Sequence, residues 1–98
     1  MSVTRVFSVE VEAGLRAEFE HKFNTLSKAM MANAPGCIRL SVLRPSHWAP
    51  NEYAMISEWE SESALAQFVG ENWNRSLIPS EMEKYAKNHS VSHYVSWE

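Results

Sequence analysis

The chain has 98 residues, of which 45% are hydrophobic and 21% charged, with a formal net charge of −3. That length makes one domain, residues 1–98, with one core that buries roughly 60–65% of the unfolded surface, so pairing with a second chain would add useful burial. The mild acidity argues against a nucleic-acid partner, and no apolar run approaches the ~20 residues that cross a bilayer.

The opening MSVTRVFSVEVE has neither the basic start nor the apolar stretch of a signal peptide. Cys37 has no second cysteine to bridge to. Together these features predict a cytoplasmic protein with no membrane and no nucleic-acid partner.

Val3 to Val11 alternates, with Val3, Phe7, Val9 and Val11 on one face and Thr4, Val6, Ser8 and Glu10 on the other, which predicts a half-buried strand. Leu15 to Ala34 reads as the longest helix. Leu15, Phe19, Phe23, Leu26 and Met30 form its apolar stripe, and Asn33-Ala34-Pro35-Gly36 ends it. Cys37 to Leu43 reads as a second strand with Ile38, Leu40 and Val42 on one face. The loop Arg44 to Asn51 is too long for a two-residue hairpin.

Glu52 to Trp59 is the third strand. Ser61 is placed to cap a helix over 62–69, with Leu65, Phe68 and Val69 on one side and Gly70 as its stop. Ser80-Glu81-Met82-Glu83 matches a capping box, which predicts two helical turns to about Lys87 with Met82, Tyr85 and Ala86 on one side. Val91 to Trp97 is the last strand, with Val91, His93, Val95 and Trp97 on one face and Ser92, Tyr94 and Ser96 on the other.

This order most economically folds as an α+β, ferredoxin-like βαββαβ sandwich. Its sheet is four-stranded and antiparallel, with both main helices on one face. Val6 and Tyr94 then lie on an uncovered face that invites a partner sheet.

The strand Val3–Val11, Gly14 opening a long helix, Ala34-Pro35-Gly36-Cys37, and Glu58-Trp59-Glu60-Ser61 with Ala64-Leu65 together resemble the antibiotic biosynthesis monooxygenase (ABM) family. The resemblance covers most of the chain. The tail to His93-Tyr94 is similar to an uncharacterised subgroup. It implies a homodimer joined sheet to sheet into an α+β barrel. It also implies a small-molecule ligand and, among the family's activities, cofactor-free oxidation of polyketide phenols and quinols.

The haem-degrading branch carries an asparagine in strand one, a tryptophan in the helix after strand three and a haem-ligating histidine beyond it. Phe7, Phe68 and Ile78 stand at or near those positions here, so haem degradation is not expected and no catalytic residue carries over directly.

His93, between Val91 and Val95, is the candidate base for making a phenolate or enolate, although a hydrogen-bonded structural role is the more common one for such a histidine. Trp59, Phe68 and Trp73 are candidate walls for a flat substrate, Asn72 a polar anchor, and Tyr85 a hydrogen-bonding wall residue. Each aromatic also fits core or interface packing. His89 and His93 lack a third ligand at sensible spacing, so no metal is expected, and the resemblance implies no other cofactor. A non-catalytic small-molecule-binding or stress-response dimer is the alternative reading.

Overall fold

A computed structural model describes residues 2–29, 33–70, 73 and 80–97. Four strands, β1 (Val3–Glu10), β2 (Cys37–Leu43), β3 (Glu52–Trp59) and β4 (Asn88–Val95), form one antiparallel sheet in the order β2-β3-β1-β4. The helices are α1 (Arg16–Lys22) and α2 (Glu62–Val69). This is the ferredoxin-like arrangement. Among the described residues no helix is long and apolar enough to cross a membrane.

Side chains alternate across a strand, so Tyr53, Met55, Ser57 and Trp59 share one face of β3. Phe19 of α1 packs on Tyr53, with ring centroids 4.8 Å apart, and Phe68 of α2 packs on Trp59 at 5.5 Å. Both helices therefore cover the same face. The core lies between them and the sheet, with Val3, Val9, Val11, Phe19, Phe23, Tyr53, Trp59 and Leu65 all buried.

α2 forms as its flanks dictate. The Ser61 hydroxyl accepts from the Ala64 N–H at 3.1 Å, and Gly70 closes the helix at φ 108°. Gly36 does a second job. It leads into β2 at φ 86°, where an added Cβ would lie 2.6 Å from the Cβ of Ala64, so the strand entry and α2 approach more closely than a side chain allows.

Four local expectations are corrected. The first long helix is not one regular α-helix: a 3-10 turn (Ala13–Leu15) precedes α1, and a π turn (Phe23–Ser27) follows it. The wider π turn breaks the apolar stripe after Phe23, leaving Leu26 41% exposed. Met30 lies outside the described residues.

Ile38 does not share a face with Leu40 and Val42. A bulge between Cys37 and Arg39 makes it the extra residue of the edge strand, 52% exposed. The stretch Ser80–Tyr85 is a 3-10 helix that stops short of Lys87, although Met82 and Tyr85 are buried as expected. β4 starts three residues earlier than the alternation suggested and ends at Val95, leaving Trp97 beyond the sheet and fully exposed. The Arg44–Asn51 loop is, as expected, too long for a two-residue hairpin between β2 and β3; within it Ser46 and Ala49 bridge across His47 and Trp48.

Candidate functional site

The strand register joins residues far apart in the chain. On the covered face Arg5 lies opposite Ser57 of β3 on one side and His93 of β4 on the other. The resulting polar row, Ser57–Arg5–His93, crosses three strands. It runs between an apolar row of Trp59, Val3 and Val95 and another of Met55, Phe7 and Val91.

Arg5 is buried and His93 half-buried. Arg5 Nη1 donates to His93 Nε2 at 2.9 Å, and the same nitrogen donates to the carbonyl oxygen of Trp73. The Trp73 ring stands edge-on to the imidazole, with centroids 4.6 Å apart. Burial, and secondarily the positive charge of Arg5, hold His93 below its ordinary value; Glu62 in the first turn of α2 acts weakly the other way. The ring is therefore neutral at neutral pH. Burial also lowers the Arg5 guanidinium from its ordinary value, but a guanidinium keeps its proton throughout the range in which proteins stay folded.

Of the residues singled out in the sequence, His93 and Trp73 meet directly. Trp59 and Phe68 form a second pair toward α2. Trp59 is completely buried, and its indole N–H is satisfied by the Ser57 hydroxyl at 3.0 Å. Its contribution to the site is thus to support the polar row from one side, with Phe68 half-buried above it.

Tyr85 stands apart from His93. It packs on Phe19 at 5.7 Å, with the ammonium groups of Lys22 and Lys84 near its ring, and its buried hydroxyl lies toward Glu18 and Lys84. Asn72 lies outside the described residues. His89 is exposed on β4, opposite Val9. Among the described residues no three His, Cys, Asp or Glu side chains converge as metal ligands would.

Arg5 was not singled out, yet its signal was present. The alternation that places Val3, Phe7 and Val9 on the covered face places Arg5 there too. A charged residue at a buried position of a strand is rare unless it is paired, so the pattern itself pointed to a buried polar contact.

A cleft of about 470 Å³ opens at the opposite edge of the sheet, between α1 and β2. Tyr53 and Phe23 form its floor, and Glu20, Asn24 and Arg44 its rim. Three of its polar groups, Tyr53, Glu20 and Arg44, are already paired. The Tyr53 hydroxyl donates to Glu20 and accepts from Arg16 at 3.2 Å, while Glu20 also faces Arg44 at 3.6 Å. The cleft is a charge-bridged seam between helix and strand, remote from His93.

Solved structures of the same architecture include a cofactor-independent oxygenase, SnoaB, from Streptomyces nogalater. It is 23% identical with a TM-score of 0.76 over 99% of this chain and 94% of that one. The heme-degrader MhuD from Mycobacterium tuberculosis, with two hemes bound in its active site, is 24% identical with a TM-score of 0.71 over 98% and 96%. At these identities the likeness speaks for the fold. A heme oxygenase (mycobilin-producing) from Mycobacterium tuberculosis is 32% identical over 65 residues, which is 66% of this chain and 60% of the relative's length. The sequence profile of the antibiotic biosynthesis monooxygenase family matches residues 2–73, from just before β1 through Trp73, and the chain belongs to that family.

Proposed function

We propose that this protein is a small-molecule oxygenase. It would hold a flat aromatic or quinol-type molecule against the covered face of the sheet beside Arg5 and His93, and oxidise it with O2 without a metal or flavin. The observation that carries this reading is the polar Ser57–Arg5–His93 row set between apolar rows, with Trp73 edge-on to His93. A pocket for a small aromatic molecule needs this combination of apolar walls and a few placed polar groups.

His93 was expected to act as the base. In the geometry observed its Nε2 lone pair faces an Arg5 N–H, and taking a substrate proton there requires Arg5 to withdraw. The arrangement suits a second task better. A phenolate or enolate oxygen beside a guanidinium and a neutral imidazole is stabilised, so the substrate hydroxyl gives its proton to water more readily. The electron-rich anion then donates to O2.

The protein would work as a homodimer joined through the outer face of the sheet, where Tyr94 is 58% exposed and a partner sheet would cover it.

The test is O2 uptake with a panel of phenols and quinols, with and without chelator. Uptake that chelator leaves unchanged supports the oxygenase. No uptake, with a thermal shift on ligand addition, supports the non-catalytic binder instead.

Haem is the second reading, because the 32% identical relative is named as a heme oxygenase. Phe7 and Phe68 are half-buried apolar side chains that offer haem no polar contact or ligand. A haemin titration decides: a Soret band that decays in the presence of reductant and O2 would establish this reading over the first.

A further inference from the structure

The Arg5–His93 contact determines which nitrogen of the imidazole carries the proton. A guanidinium has five N–H donors and no acceptor. His93 Nε2, 2.9 Å from Arg5 Nη1, is therefore the acceptor of that hydrogen bond. A neutral imidazole whose Nε2 lone pair is engaged carries its proton on Nδ1. Among the described residues, no protein acceptor meets that Nδ1–H. The second Nη1 hydrogen goes to the Trp73 carbonyl, so one guanidinium nitrogen ties the imidazole of β4 to the backbone beside the indole that flanks it.

We propose that Arg5 is the positioning residue of this site. It fixes His93 as the Nδ1–H tautomer, so that the ring meets its small molecule with a hydrogen-bond donor. The matching ligand is an aromatic molecule presenting an acceptor oxygen, a quinone carbonyl or an ionised hydroxyl.

The charged groups facing the ring agree with this. Arg5 on β1 favours the neutral imidazole, and Glu62 on α2 is the opposing influence. A ligand oxygen carrying partial or full negative charge gains from both the N–H and the nearby guanidinium. The ligand class rests on the small-aromatic reading above; the tautomer and the role of Arg5 do not.

Long-range ¹H–¹⁵N correlation spectra of the imidazoles, recorded on the ¹⁵N-labelled protein from pH 5 to 8.5 without ligand, test the tautomer directly. The wild-type His93 should show a protonated Nδ1 and an unprotonated Nε2 above its titration. Arg5→Lys, which keeps charge and can only donate, should retain that pattern. Arg5→Met should lose it, giving a mixture richer in Nε2–H with an upward shift of the titration midpoint. An Nε2–H tautomer in the wild type would overturn the proposal, as would an unchanged pattern in Arg5→Met. If Arg5→Met does not fold, the wild-type and Arg5→Lys spectra decide.

Menadione, whose carbonyl oxygens only accept, and naphthalene, which has no oxygen, test the ligand class. Menadione should shift the His93 resonances and bind about tenfold more weakly to a folded Arg5→Met, a loss of about 1.4 kcal/mol, while naphthalene should bind both proteins alike. Failure of menadione to bind, with the Nδ1–H pattern intact, would overturn the ligand assignment and the small-aromatic reading while leaving the role of Arg5 in place.

Discussion

Ser57 and Trp59, two residues apart on β3, close a polar pair on the covered face of the sheet. The indole N–H donates to the Ser57 hydroxyl at 3.0 Å, and both side chains are essentially inaccessible. The hydroxyl sits between the largest buried side chain of the core and Arg5 across the strand. It lets a tryptophan be buried completely without leaving its donor unmet.

Ser57→Ala should therefore destabilise the fold by about 1–3 kcal/mol, because it strands the indole N–H with almost no change in volume. Urea unfolding followed by far-UV circular dichroism measures it. In the background of Trp59→Phe, which has no N–H to strand, the same serine substitution should cost clearly less. Equal costs in the two backgrounds would show that the pair is not coupled.

Gly36→Ala should cost roughly 2–4 kcal/mol, the sum of a left-handed backbone and an overlap. The φ of 86° and the 2.6 Å approach to the Ala64 Cβ both act at this residue. Ala64→Gly removes the overlap but not the backbone strain. In that background the added cost of Gly36→Ala should fall to about 1–2 kcal/mol. Thermal or urea unfolding of the four proteins in the cycle separates the two contributions.

His93 makes stability depend on pH in a defined direction. Burial first, then Arg5, lowers its folded value below the ordinary 6.5, so between the two values the unfolded chain binds more protons than the folded one. Stability therefore rises with pH in that window. The contribution is fully present above about 6.5 and is lost as pH falls through the folded value. Melting temperatures from pH 8 to 5 should fall more for the wild type than for His93→Gln, which has no proton to take up. Parallel declines would place the imidazole outside the buried row.

The elements were largely legible because their signals are local. Alternation in Val3–Val11, the Ser61 cap and the Gly70 stop each depend on residues within a few positions, and they produced the strands, α2 and the ferredoxin-like order directly. The bulge at Ile38 and the π turn after Phe23 were not legible. Each inserts one residue into a periodic element, and the sequence on either side still looks periodic. Only the partner strand, or the core that α1 must cover, reveals the slip.

The site divides the same way. His93 could be placed on a buried strand face from its valine neighbours alone, and so, by the same alternation, could Arg5. That the two meet is a property of register. They are 88 positions apart, and nothing local specifies which rung of β1 faces which rung of β4. The sequence by itself determined the order of the strands, the cap and stop of α2 and the faces of β1 and β3, because short-range periodicity and backbone chemistry suffice for those. Tertiary structure decided the pairing of Arg5 with His93, the place of Trp73 beside them and the separation of Tyr85 from them, because those contacts exist only once the strands have aligned and the helices have closed over one face.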